Sequence, residues 1–471
     1  MKILLAKPFN ISDHIQPSLG LGYLATAVRK EHDVEILDCI KEGITLDKIG
    51  HEIRKRSPDV VGFQFYTFDR EYLKNAFRIV KEIDQDIVTL AGGPHPSAVP
   101  EDTLREIGNN LDFAFKGEAE VGLPILLREI EVAKASVPEK LNSEKLAQVP
   151  GLIWRRDGNV IVNQQVFPEN LDALGFPAWD LIRPDRYPEA QHGAFFENFP
   201  IAPIMITRGC PFQCTFCGGS LVTGKKVRFR SVEHVMQEIE MLYRDYGIRE
   251  FHIIDDNFTI KPDYAKEFCR RLIASGLKIS WATPNGVRVE TLDEELLHLM
   301  KDSGLYLISL GIESGSDRIL KLMKKHLDTA TVREKIKLIR KVGIDIAGFF
   351  IIGFPGETKE EIRQTIKFST ELDLLRANFF TYLPFPGTES YKELLQSGEI
   401  KKVDFNNFYF MSAPYAPSGI TRKELRKLQR EAFTKFFFLR PGILLKNLVK
   451  IKTFNHFKFL FRRFLRWVMK G

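Results

Sequence analysis

At 471 residues the chain has room for two or three buried cores, and 44% hydrophobic with 27% charged residues excludes a disordered or fibrous protein. Five cysteines exclude a disulfide framework and suit a reducing cytoplasm, and no apolar run reaches the roughly 18 residues of a membrane span. The net charge of +7 is uneven, because residues 421–471 hold fifteen Lys/Arg against two Asp/Glu, over a mildly acidic body. In chain order, strands are predicted at 2–8, 34–38, 60–66 and 87–91, with helices at 18–31, 46–56 and 71–84. Strands alternating with helices through short loops predict a doubly wound, Rossmann-like parallel sheet. This unit is expected to close near residue 131. The opening ten residues turn polar too soon for a signal peptide.

Prolines punctuate 132–200, which is expected to be a connector on the body of the protein. Within it, 151–162 reads as a hairpin with Asp157-Gly158 at the turn. Alternation resumes with strands at 204–206, 250–254, 280–283, 305–311, 344–352 and 377–383, separated by helices. Six such units predict a partial (β/α)6 TIM-type barrel over 201–395, whose reacting groups belong at the strand C-termini. Residues 396–471 are expected to be helical.

Three of the five cysteines, Cys210, Cys214 and Cys217, fall within eight residues just past the first barrel strand. Thiolates are soft ligands for zinc or for iron–sulfur clusters. A structural zinc site requires a fourth Cys or His at finger-like spacing, and the next cysteine is Cys269. Three thiolates on a [4Fe-4S] cluster leave one iron open, which points to chemistry rather than electron relay. Ile254-Asp255-Asp256-Asn257-Phe258 ends the second strand, where carboxylates, Asp255 first, either bind a polar substrate group or a ribose hydroxyl in the barrel mouth or cap the next helix.

With its C-x3-C-x2-C triplet the barrel resembles the radical S-adenosylmethionine (SAM) enzymes over residues 200–395. That resemblance implies a [4Fe-4S] cluster on Cys210, Cys214 and Cys217 that cleaves SAM to a 5′-deoxyadenosyl radical. It implies that Gly218-Gly219 meets the methionine amino group, although Ser220 stands where the family has glutamate. It places Glu313, with Ser314 as second choice, beside SAM at the end of the fourth strand. Arg288 is a candidate partner for the SAM carboxylate, against a plain surface role. Gly353 and Gly356, in Gly348-Phe-Phe-Ile-Ile-Gly353-Phe-Pro-Gly356-Glu357, match the glycine-rich adenine strand, Gly353 letting the adenine approach the backbone.

Residues 1–131 resemble the cobalamin-binding domain fused ahead of many such barrels. Carrying the resemblance are Pro17-Ser-Leu-Gly-Leu-Gly-Tyr-Leu, Asp38-x4-Gly43, Gly92-Gly93-Pro94-His95-Pro96 and Gly117-Glu118-x-Glu120. Asp38, Gly43, Gln64, Thr67, Gly92 and Gly93 are the implied corrinoid residues, past the strand C-termini. Ile40 stands where corrinoid domains with a histidine below cobalt carry that histidine. No G-x-G-x-x-G follows the first strand, which argues against NAD.

Residues 432–471 hold ten Lys/Arg, nine Phe and no Asp/Glu. Phe454, Phe457, Phe461, Phe464 and Val468 share one helical face, flanked by Lys458, Arg462, Arg463 and Arg466. This is the pattern of an interfacial helix, against a closing helix docked on the barrel or an RNA-binding one. The resemblance implies a cytoplasmic enzyme that uses SAM and cobalamin, with a reductase, flavodoxin or ferredoxin as electron donor. The expected reaction is methyl transfer to an unactivated carbon of a small-molecule or lipid-like substrate, with peripheral membrane contact through the tail and nucleic acid disfavoured. Cyclisation, rearrangement or oxidation with the same cofactors, and a non-catalytic corrinoid sensor, are the alternatives.

Overall fold

The computed structural model describes residues 1–10, 15–133, 141–189, 196–401, 403, 405 and 408–470, without the side chains at 463, 464 and 466–470. The first sheet holds β1 (Lys2–Lys7), β2 (Asp33–Asp38), β3 (Val60–Gln64), β4 (Val88–Gly92), β5 (Phe113–Phe115), β6 (Leu152–Arg156) and β7 (Asn159–Val162), in the order β2-β1-β3-β4-β5-β6-β7. The first five strands run parallel. In β1, Ile3 through Ala6 are all buried, as a strand covered by helices on both faces demands. The strand order reverses between β1 and β3, which opens a crevice beyond their C-termini.

The β6–β7 hairpin forms where expected, with Asp157 and Gly158 both at positive φ. Its first strand, β6, pairs antiparallel with β5 and extends the first sheet. Buried Trp154 anchors it through an indole N–H donated to Asn163 Oδ1 at 3.1 Å.

The second sheet begins with β8 (Ile201–Ile204). A two-stranded ribbon, β9 (Thr207–Arg208) with β10 (Arg228–Phe229), brackets the cysteine loop. β11 (Glu250–Ile253), β12 (Ser280–Val287), β13 (Leu305–Glu313), β14 (Asp345–Ile352) and β15 (Arg376–Thr381) complete a six-stranded parallel sheet in sequential order. β12 and β13 run past their predicted ends through register shifts at Thr283/Val287 and Gly311/Glu313, which carry Arg288 and Glu313 into the mouth. Phe251 stacks on Trp281 at 5.9 Å and Phe268 meets Trp281 edge-on at 6.1 Å, binding the sheet to the helix Pro262–Ala274. Burying each of these rings stabilises the fold by about 1.5–3 kcal/mol.

After β15 the helix Arg422–Phe433 returns over the sheet, and Phe433 and Phe436 meet Phe379. The helices Pro441–Val449 and Phe454–Lys470 follow.

Candidate active site

The cysteine loop is shaped before any cofactor is considered. Gly209 has φ +98, and a Cβ there would stand 2.2 Å from Lys226 O, so only glycine fits ahead of Cys210. Thr215 N donates to Met323 O at 3.0 Å, and Ser390 Oγ donates to Thr215 O at 2.9 Å, pinning the loop against later barrel loops. Gly219 N donates to Cys217 Sγ at 3.4 Å. Cys210 and Cys214 are half-buried and Cys217 is exposed. Three soft sulfurs on one rigid loop, with a backbone N–H already aimed at one of them, form a donor set suited to an iron–sulfur cluster.

Asp255 departs from the expectation that it binds a cofactor. Its oxygens accept from Ile206 N, Thr207 N and Thr207 Oγ1, each at 2.8 Å. It is buried, and burial pushes its carboxyl up to about 7. Asp255 therefore locks the start of the cysteine loop to β11. The neighbouring Asp256 takes the exposed position: its Oδ1 lies 3.2 Å from where a Gly219 Cβ would stand, and its Oδ2 accepts from Thr223 Oγ1 at 2.7 Å. A carboxylate thus stands beside Gly218-Gly219 even though Ser220 replaces the family's glutamate.

Arg288 and Glu313 do converge on the loop. The Arg288 guanidinium lies 3.7 Å over the Phe212 ring, with Nη1 3.9 Å from Cys214 Sγ and Nη2 donating to Lys325 O and Glu290. Buried Lys325 reaches Glu313 Oε1 at 2.7 Å. Gly311 makes room for that pair, since a Cβ there would stand 2.7 Å from the carboxylate and 2.8 Å from the ammonium. Glu313 holds φ +65, an unfavourable conformation for a non-glycine residue that aims it into the mouth. Arg288 Nε is buried without a partner among the described residues, so a donor remains for a carboxylate-bearing cofactor such as SAM. Ser314 faces the other way: fully buried, it meets Thr365 Oγ1 at 3.2 Å and accepts from Ser316 N. Lys325 was missed in the sequence because it reaches the site through a turn with Lys324 and His326 both at positive φ, not through any periodic pattern.

Gly353 and Gly356 lie beyond β14, both at positive φ. What stands over Gly353 is Leu425 of the returning helix, 2.5 Å from the position of an added Cβ. Its smallness therefore serves helix packing, a reason different from the adenine approach expected. Buried Glu357 accepts from Gly353 N and Phe354 N and closes this turn.

Across from the barrel mouth lies the C-terminal edge of the first sheet. Asp38 is committed to structure. Its Oδ1 accepts from Ile40 N and Lys41 N, and its Oδ2 meets Lys7 Nζ at 3.4 Å and Tyr187 Oη at 2.8 Å. Gly43 ends that turn at φ +65 with open space around it. Gln64 accepts from Ser18 Oγ at 3.2 Å at the end of β3. Thr67 Oγ1 meets His95 Nδ1 at 3.1 Å, and His95 Nε2 is buried without a partner among the described residues. A Cβ on Gly92 would meet nothing, whereas one on Gly93 would stand 3.3 Å from Phe65 O. Tyr66 and Phe68, stacked at 5.3 Å, are 37% and 42% exposed on the loop after β3. An open glycine edge, an orphaned imidazole nitrogen and an uncovered aromatic pair fit a large, flat ligand such as a corrinoid.

The two edges touch. The helix Pro94–Ala98, after Gly92-Gly93, packs on the turn Gly219–Thr223 after the cysteines. Gly387, past β15, leaves room for Ala98, whose carbonyl would lie 3.0 Å from a Cβ there. A buried ion cluster joins the sheets: Arg208 meets Glu118 at 3.1 Å and Glu120 at 2.7 Å, while Arg228 grips Glu118. That is the structural work of Gly117-Glu118-x-Glu120.

Known proteins resemble this chain in both of its parts. The radical SAM superfamily model matches residues 204–369 and the B12 binding domain model residues 12–127. An uncharacterized methyltransferase of Pyrococcus horikoshii is 33% identical over 100% of this chain and 98% of its own length. The cytidylyl-2-hydroxyethylphosphonate methyltransferase of Streptomyces wedmorensis is 32% identical over 81% of this chain and 78% of its own. The solved structure of OxsB, a cobalamin-dependent SAM radical enzyme with aqua-cobalamin and SAM bound, superposes with a TM-score of 0.75 at 16% identity, covering 98% of this chain and 70% of that one. With a B12-binding domain leading a radical SAM barrel, the chain belongs to the cobalamin-binding radical SAM enzymes, whose cofactors are a [4Fe-4S] cluster, SAM and cobalamin.

Proposed function

We propose that the chain transfers a methyl group from SAM, through cobalamin, to an unactivated carbon of an apolar small molecule. The observation that carries this reading is the packing of the Gly92-Gly93 edge directly on the cysteine-loop turn, through Pro94–Ala98 against Gly219–Thr223. When bound, the cluster supplies the electron that cleaves SAM and cobalamin carries the methyl group. Cys210, Cys214 and Cys217 hold the cluster. Arg288 would pair with the SAM carboxylate, the Lys325–Glu313 pair standing beside it, and Asp256 with Gly218-Gly219 would take its amino group. Gly92, Gly93, Gly43, Gln64 and the Thr67–His95 pair shape the corrinoid edge, with Asp38 and Asp255 acting as positioning residues. The half-buried rings of Phe349 and Phe380 lie 5.9 Å apart, and exposed Phe410 lies 4.7 Å beyond Phe380, an apolar wall that suits an apolar substrate. In this reading residues 1–131, with the β6–β7 hairpin added, form the corrinoid unit, 201–395 the barrel and 396–471 its helical cover. A flavodoxin, ferredoxin or reductase is the electron donor.

The test is anaerobic. The protein is reconstituted with iron and sulfide, loaded with hydroxocobalamin, desalted and assayed for metals. It is then given SAM and dithionite. About four irons and near-stoichiometric cobalt are expected, with both 5′-deoxyadenosine and S-adenosylhomocysteine formed, and neither from the Cys210→Ala/Cys214→Ala/Cys217→Ala variant. Iron without cobalt would sink the methyl-transfer reading. Cobalt with 5′-deoxyadenosine and no S-adenosylhomocysteine would replace it with a radical cyclisation or rearrangement.

A further inference from the structure

We infer that the last two helices form an interfacial anchor that binds the surface of an anionic lipid bilayer. This surface lies outside the cofactor sites and stands independently of the methyl-transfer reading. The helix Pro441–Val449 is already seated on the barrel by its other face: Ile443 and Asn447 are buried, and Asn447 Nδ2 donates to Leu375 O at 2.9 Å. Its outward face carries Leu445, Leu448 and Val449, the last 80% exposed. The helix Phe454–Lys470 repeats this arrangement. His456 is buried against the Phe196 ring at 4.5 Å, while Phe454, Phe457, Phe461 and Leu465 form an exposed stripe. Successive rings of that stripe lie 6.4 and 6.0 Å apart. Phe464 and Val468, expected on this face, have side chains outside the described residues.

A closing helix would turn its apolar stripe inward. Here the stripe faces out while other positions make the contact, so apolar surface lies uncovered on two consecutive helices. Charge identifies what covers it. Residues 432–471 contain ten Lys/Arg and no Asp/Glu. Lys446, Lys458 and Arg462 are exposed and make no ion pair among the described residues. Exposed Phe and Leu beside unpaired cations match the acyl and headgroup layers of an anionic leaflet. No helix among the described residues is long and apolar enough to cross a membrane, so the anchor lies in the plane of the interface.

Flotation of the full-length protein with vesicles tests this. Vesicles of phosphatidylcholine alone are compared with vesicles containing about one-third phosphatidylglycerol, at low and high salt. The protein is expected to float with the anionic vesicles, less so at high salt. Each cation near an anionic surface is worth about a fivefold change in partition. Lys446→Ala/Lys458→Ala/Arg462→Ala should therefore lose at least tenfold on anionic vesicles, and Phe454→Ser/Phe457→Ser/Phe461→Ser should lose flotation altogether. Unchanged iron incorporation and circular dichroism in both variants exclude misfolding. Absence of flotation in the parent protein overturns the inference. So does light scattering that shows a dimer made monomeric by the phenylalanine substitutions, which would make the face an interface between copies, or binding of single-stranded RNA but not of vesicles.

Discussion

Burial holds the Glu357 carboxyl at about 8, although two backbone N–H groups favour its charged form. The folded protein therefore keeps this proton up to about pH 8, while the unfolded chain releases it near 4.5. Between these values the folded state binds more protons than the unfolded one, so this group's contribution to stability falls as pH rises. The slope is on the order of 1 kcal/mol per pH unit. Glu357→Gln keeps an acceptor for Gly353 and Phe354 and removes the titration. Denaturant melts between pH 5 and 8 should show the variant gaining on the parent as pH rises, and parallel curves would refute the assignment. Asp255 and Asp38 share this inward character. Their types and positions were legible as candidate site residues, but whether a carboxylate meets a ligand or a backbone amide depends on partners far away in sequence. Asp255 answers to Thr207 and Asp38 to Tyr187. Ser314 was misplaced for the same reason, because Thr365 claims it.

At the scale of elements, the strand–helix alternation was readable because each strand is a short apolar run between turn residues. Less readable was what lies over the strand ends. The helix Arg422–Phe433 places Leu425 on Gly353, and Gln429 Nε2 donates to Phe379 O at 2.6 Å. Gly353→Ala would meet both the Leu425 side chain and an unfavourable positive φ, with an expected loss of about 2–4 kcal/mol. Urea midpoints measure it, and Gly353→Ala/Leu425→Ala should cost less than the two single losses added together. Strict additivity would mean the helix does not press on this turn. The β6–β7 hairpin was also predicted as an element, yet its place on β5 was not, because edge pairing depends on which sheet edge is left open.

For the whole molecule, the buried cluster of Arg208, Arg228, Glu118 and Glu120 ties the corrinoid sheet to the ribbon that brackets the cysteines. Arg208 stands two residues before Cys210 and also lies 4.7 Å over the Tyr23 ring. Glu118→Ala would leave the buried Arg228 guanidinium without a carboxylate and Arg208 with Glu120 alone, at about 3–5 kcal/mol. Denaturation should register that loss, and iron retained after reconstitution should drop with it. Full iron content in a destabilised variant would show that the two sheets hold together without governing the cluster loop.

The donor set and the two-part architecture were legible in the sequence by itself, because a three-thiol loop and apolar periodicity are local properties of the chain, whereas SAM and cobalamin were implied by the resemblance of its motifs to a known family. Tertiary structure decided which polar residues face a cofactor and which serve as struts. It brought Lys325 to the site and set Pro94–Ala98 against Gly219–Thr223. It also left Phe454, Phe457 and Phe461 of the last helix exposed. Each of these outcomes depends on contacts between segments far apart in sequence, whose geometry no single stretch of chain contains.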